Sequence, residues 1–447
     1  MKTGCHILLE NRGGPLRAVL LTLALLGIPQ HFYAAELPVA PETQGSPTHA
    51  IVAHLQYREV DFAPTCWEAK VLPKATFRRE PAFASSDVCR GEIVLDQVTR
   101  QFLPFAWDIK ARKLYLDLNH NGDLTDDPKG VLTAPDKDLQ LFRGIRLRFP
   151  SDAGPYDVLV DAHVLASVES VPGGQERMAR VFLNVRSLWE GAVELSGKKW
   201  YLAVIDWPDG QIRPPASQKE IGDRMILRPW AERDQRFLWW HASLEYVHEL
   251  DHVKLVNYPF RLAGNAEVFD AFNVPARLFV EGQAYRVECR VEQGGNLSVA
   301  FGALHPPITK LHLGGECIKR VVLDGGSAGF TAVLDAPAGE VEVPAGVYPR
   351  QLVLLQRAGF TNVAVGLGRS PLTAAEGKPA SLDAGGPLYN AVGISPTPAD
   401  GTLRLEYLLT NSAGISFRLA FQDEKAPPKW EVGQGDAVVA ENRFRFG

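Results

Sequence analysis

Apolar and polar residues alternate along most of the chain in short runs, and turn-forming residues cut each run from the next. Residues 50–53, 92–95, 145–149, 158–160, 181–185 and 200–205 have strand composition, rich in Val, Ile, Leu and aromatics. Successive side chains of a strand point to opposite faces, so alternation of this kind predicts half-buried strands of antiparallel sheets. From about Ala271 the texture is purely β. Tyr285-Arg-Val-Glu-Cys-Arg-Val291 alternates strictly, and runs at 297–301, 308–313, 320–323, 330–334, 341–348 and 351–355 follow it. Apolar faces of helical period are scarce. The expected fold is mainly β and multi-domain, built of antiparallel β-sandwich modules with few helices.

A chain of 447 residues has room for about two to four domains. Residues 1–35 read as an export signal. Lys2, Arg12 and Arg17 precede the apolar run Ala18-Val-Leu-Leu-Thr-Leu-Ala-Leu-Leu-Gly-Ile28, which is short for a bilayer span but suits a signal core. Cleavage is expected after Ala34 or Ala35, although Phe32 and Tyr33 are bulky for such a site; an uncleaved anchor is the alternative. Residues 36–47 are a Pro/Gly/Thr-rich linker. A β-rich domain is expected over 48–240, a β-sandwich module over 241–367, a Gly/Pro/Ser/Ala-rich linker over 368–386 and a small terminal β module over 387–447. No other segment reads as a membrane span, so the protein is expected to be exported, whether periplasmic, cell-surface or extracellular. The net charge of −5 and the lack of long basic runs argue against nucleic acid as a partner. After signal removal Cys66, Cys89, Cys289 and Cys317 remain. The local pairings Cys66–Cys89 and Cys289–Cys317 are preferred for an oxidising compartment, with reduced, buried thiols as the alternative.

One stretch asks for a specific chemistry: Leu114-Tyr-Leu-Asp-Leu-Asn-His-Asn-Gly-Asp-Leu-Thr-Asp-Asp-Pro128. A hard cation such as calcium takes several oxygen ligands, which a short loop must aim inward. Asp117, Asn119 and Asn121 fall at alternate positions, and Gly122 follows where the chain must turn sharply. Asp123 would offer its carbonyl, Leu124 would anchor the loop, and Asp126 or Asp127 would complete the charge. An Asn/Asp/Gly-rich hairpin turn is the competing explanation, because the same residues favour tight turns.

This stretch resembles the DxNxNG calcium loops of EF-hand and dockerin proteins over about a dozen residues. The resemblance implies calcium on Asp117, Asn119, Asn121, Asp123, Asp126 and Asp127. Pro128 stands where those families carry a bidentate Glu, and Leu114 and Leu116 are spaced as in a strand. A strand-loop site is therefore expected, with structural Ca2+ held less tightly than in a sensor. Further on, Pro344-Ala-Gly-Val-Tyr348 resembles a turn of transthyretin-like modules, which implies such a module over 241–367. The runs at 389–394, 403–409, 415–421, 430–432 and 437–446 resemble a small immunoglobulin- or fibronectin-like sandwich.

Other candidates are weaker. Ile205-Asp-Trp-Pro-Asp-Gly-Gln-Ile212 reads as a decayed second turn of the same type, in which Asp206 and Asp209 cannot fill a shell alone, so a plain hairpin is expected. His248-Glu-Leu-Asp-His252 satisfies HExxH, the helical zinc signature. Its flanking Glu245, Asp251 and Lys254 depart from that pattern, and Glu267 is the nearest third ligand. Asp251 gives it a likeness to the HExDH helix of peptide deformylases, whose other motifs are absent. Trp239-Trp240 could stack on sugar, but paired Trp more commonly fill a core or interface. No nucleophile elbow, P-loop or dinucleotide fingerprint appears. The preferred expectation is an exported calcium-binding scaffold or binding module, facing a surface polysaccharide or protein, in preference to an enzyme. A zinc hydrolase using His248, Glu249 and His252, and a glycan-binding module, are the alternatives.

Overall fold

The computed structural model describes residues 5–10, 50–233, 266–434 and 437–443, except 61–64, 74, 97–99, 136–139, 172–173, 216–221, 268–270, 327–328, 357–363, 369, 397–402 and 420–428. The chain is mainly β, as its alternation predicts. No α-helix occurs among the described residues, only two 3-10 turns at Pro128–Gly130 and Trp230–Glu232. No helix there is long and apolar enough to cross a membrane.

The chain divides into two units. One comprises residues 1–45, 391–408 and 422–447, the other residues 46–390 and 409–421. In the first, Cys5–Glu10, Lys429–Gln434 and Ala437–Arg443 form an antiparallel sheet, with Cys5 opposite Gln434. The apolar run of the expected signal lies outside the described residues.

In the second unit one long sheet is central. Strand Ile51–Glu59 pairs on one edge with Ser187–Leu195 and on the other with Leu297–Leu304. Beyond Ser187–Leu195 the ladder continues to Lys198–Ile205, Arg224–Pro229 and Ala271–Asn273. Beyond Leu297–Leu304 it runs through Gln283–Val291 and Arg277–Val280 to Thr331–Asp335, Ile318–Asp324, Arg350–Leu355 and Ala364–Gly368. The expected boundary at 240/241 thus falls between stretches whose strands share a ladder. Within the expected linker 368–386, Leu372–Ala374 pairs with Gly346–Tyr348 and Ala380–Asp383 with Ile308–Gly314. Residues 409–421 of the expected terminal module belong to the larger unit.

Two cores flank this sheet. The first gathers Leu55, Phe105, Trp107, Val160, Leu183, Trp189 and Trp200 from the long sheet and from two five-stranded sheets, Lys113–Leu116 among their strands. The second holds Leu311, Leu313, Val321, Val353 and Tyr348. In Arg277–Val280, Leu278 and Val280 face the first core while Phe279 faces the second. Both faces are covered, which suits the parallel pairing of this strand with Thr331–Asp335. Tyr348 closes its own turn by donating its phenol proton to the Pro344 carbonyl at 2.7 Å. The expected Cys289–Cys317 bridge is absent, and both are thiols. Cys289 packs against the first core, whereas Cys317 is exposed in a turn at φ 63°. Cys66 lies on strand Thr65–Ala69, but its side chain is outside the described set.

Candidate cation sites at two strand ends

Strand Lys113–Leu116 delivers Asp117 into a buried position, 2% exposed. Its Oδ1 accepts the Asn121 amide at 3.1 Å and its Oδ2 the Gly122 amide at 2.9 Å, which curls the loop over this carboxylate. Asn119 Oδ1 accepts the same Asn121 amide, and Asn121 Oδ1 accepts that of Asp123 at 2.7 Å. Each is the short Asx turn that Asn and Asp form with their own backbone. Two positions take left-handed backbone, His120 at φ 57° and Gly122 at φ 75°. Asp127 closes the ring by accepting the Leu118 and Asn119 amides at 3.1 and 3.4 Å. The side-chain amides of Asn119 and Asn121 donate to the two oxygens of Asp126 at 3.1 and 2.7 Å. Burial, with the charges of Asp117 and Asp126, raises the pKa of Asp127.

Five of the six expected ligands, Asp117, Asn119, Asn121, Asp126 and Asp127, thus share one hydrogen-bonded ring. Asp123 turns away to accept the backbone amide and hydroxyl of Thr125, which hold its pKa below the usual carboxylate range. Outside the ring the Gly122 carbonyl accepts the Arg78 and Arg79 amides, and Leu124 N–H donates to Arg79. Leu124 is 1% exposed and packs with Ala106 and Tyr115, the anchoring role its apolar character predicted. Pro128 begins a 3-10 turn, so the position that carries Glu in EF-hands here ends the loop. The turn closes at Gly130, where a Cβ would lie 2.3 Å from the Leu116 carbonyl.

A second acidic group lies at the end of strand Lys198–Ile205. That strand pairs antiparallel with Arg224–Pro229, Ile205 opposite Arg224, so Asp206 and Asp223 are the next residues outward on the two chains. The bend through Pro208 and Gly210, the latter at φ 79°, brings Asp209 back toward them. Carboxylate oxygens of Asp206, Asp209 and Asp223 all lie within 4.8 Å of one another. The three residues are 1%, 6% and 1% exposed. Asp223 accepts the Trp207 and Arg213 amides, both at 2.7 Å, and Asp209 accepts that of Gln211 at 2.8 Å. Asp206 Oδ2 accepts the Tyr156 phenol at 3.0 Å. Burial pushes the pKa of both Asp206 and Asp223 up, and the neighbouring Asp206 and Asp209 charges push Asp223 further.

This group could hold a metal ion, and it is the one set of three Asp, Glu, His or Cys among the described residues whose ligand atoms gather so closely. The pattern at 205–212 read as a plain hairpin whose Asp206 and Asp209 could not fill a shell alone, and it gave no sign of Asp223. The available signal was Gly222-Asp223 directly before an apolar strand, which becomes informative only once the register with Lys198–Ile205 is known. His248, Glu249, His252, Trp239 and Trp240 lie outside the described residues, and of Glu267 only the backbone, in the short strand Ala266–Glu267, is described. Compared with protein-family models, curated proteins and solved structures, the chain matches none.

Proposed function

We propose that the protein is an exported, calcium-stabilised β scaffold, serving as a binding module for a surface polysaccharide or protein. Calcium sits in the loop after Lys113–Leu116, on Asp117, Asn119, Asn121, Asp126 and Asp127. The observation that carries this reading is the ring itself: five oxygen-bearing side chains on one short loop, already curled over a buried carboxylate. The ring holds three carboxylates, Asp117, Asp126 and Asp127, whose mutual repulsion a hard divalent cation would relieve. With its backbone docked on Arg78 and Arg79, the loop loses little freedom on binding. Calcium that binds the folded chain preferentially stabilises it by mass action, by about 2.7 kcal/mol at a hundredfold excess over Kd.

The test is thermal unfolding of the chelated chain, with calcium added back, beside Asp117→Ala. A calcium-specific rise of several degrees that is smaller in the variant supports the loop site. An equal rise in both proteins, or none in either, removes it.

A further inference from the structure

We propose that Asp206, Asp209 and Asp223 form a second calcium site, separate from the loop, which clips residues 206–215 to the end of the strand pair Lys198–Ile205 and Arg224–Pro229. No residue is shared with the loop after Lys113–Leu116, so this proposal goes beyond the reading above and stands or falls without it.

The first argument is unmet demand. Asp108 shows what a satisfied buried carboxylate looks like in this protein. Fully buried, it accepts the Ala84, Ser85 and Ala111 amides and the Ser85 hydroxyl. Asp206 is as buried, yet its Oδ1 meets no hydrogen-bond donor. Its carboxylate belongs to a group of three with oxygens within 4.8 Å of one another, and the Arg213 guanidinium reaches the rim, 4.0 Å from Asp209 Oδ2. Buried like charges this close are costly unless something positive joins them.

The second argument is wiring. At both strand ends the first residue past the strand is a buried Asp, Asp117 after Leu116 and Asp206 after Ile205. In both, a later Asp clamps the amide of the next residue: Asp127 that of Leu118, Asp223 that of Trp207. The loop reaches its closing Asp ten residues on, whereas the second site reaches across a strand pair. That difference hid it from spacing.

The third argument concerns the ion. Carboxylate oxygens suit hard cations and give no preference to zinc or copper(I). Oxygens that all lie within 4.8 Å of one another can share one ion at calcium–oxygen distances of ~2.4 Å. Magnesium keeps several waters and a strict octahedron, which residues so deeply buried accommodate poorly.

The experiment is calcium binding to the full chain by equilibrium dialysis after chelation, in the wild type, Asp117→Ala, and Asp206→Asn/Asp223→Asn. Calcium retained by Asp117→Ala and one fewer ion bound by the double variant are expected, whether or not the loop itself binds. An Asp117→Ala protein that binds no calcium, or a double variant with unchanged stoichiometry, overturns the proposal. Hydrogen exchange of Asp117→Ala gives a second readout that does not depend on the folding of the double variant. Added calcium should slow exchange at the Trp207, Gln211 and Arg213 amides, and unchanged exchange there overturns the site as well.

Discussion

His163 gives the sharpest stability prediction. It lies on strand Tyr156–Val171, 1% exposed, with its ring 6.2 Å from that of Phe182. Burial lowers its pKa to about 4. In the unfolded chain an imidazole titrates near 6.5. Between these values the unfolded chain takes up a proton that the folded chain refuses, so stability must fall as pH drops from about 6.5 toward 4. At about 1.4 kcal/mol per pH unit, a gap of roughly two and a half units amounts to about 3 kcal/mol. The raised carboxyls of Asp206 and Asp223 act in the opposite direction. They bind protons more readily in the folded chain, and so add stability as pH falls through their folded values toward the ordinary carboxylate range. The informative quantity is therefore the difference between wild type and His163→Gln, which leaves those carboxyls in place. Urea unfolding of both, from about pH 7.5 to 4.5, should show the wild type losing stability relative to the variant across this window. Curves that stay parallel would mean that the imidazole protonates within the fold without penalty, and the burial argument would be wrong.

Two further substitutions probe packing and charge. Gly130→Ala places a Cβ 2.3 Å from the Leu116 carbonyl, a backbone atom that cannot swing aside. It should lower stability by about 1–3 kcal/mol and weaken calcium binding at the loop, read by denaturant unfolding and equilibrium dialysis. Arg320, 1% exposed, donates to Asp335 through both Nε and Nη2 and to Glu232 at 3.1 Å. Arg320→Ala leaves Asp335, whose side chain is 9% exposed, beside fewer cations and should lose about 3–5 kcal/mol by denaturant unfolding, whereas a loss under about 1 kcal/mol would show the carboxylates to be well solvated.

Where one face of a strand is wet, the sequence shows it. In Gln283–Val291 and over 310–313 exposed and buried positions alternate as the residue pattern predicts, whereas Ile308 is exposed and Thr309 buried. The loop at Asp117 was legible for a related reason: the side chains of its ring are near neighbours in sequence, so spacing alone brings them together. Legibility ends where a feature depends on pairing across the chain. Arg277–Val280 has no alternation because both of its faces are buried. Leu372–Ala374 and Ala380–Asp383 sit in Gly/Pro-rich surroundings that read as linker, yet each is held by a partner strand. Asp223 is an ordinary acid in sequence, and only the ladder from Ile205 to Arg224 sets it against Asp206.

Strand Ile51–Glu59 has a consequence for how the protein comes into being. It is among the first strands of the larger unit to be synthesised, yet its two partners lie far downstream, with Gln56 opposite Glu190 and Leu55 opposite Leu297. While the intervening residues emerge from the ribosome, this strand offers two open edges, and such edges invite pairing with other chains. Contacts so distant in sequence form slowly, because the intervening loop must close before any of them stabilises the fold. Of its alternate outward residues, His54, Gln56 and Arg58 are polar and exposed and Val52 alone is apolar, while Ala53 and Leu55 face the core. Charge and polarity on that face keep the waiting strand soluble, so replacing Arg58 or Gln56 with an apolar residue would burden biogenesis far more than it would the finished fold.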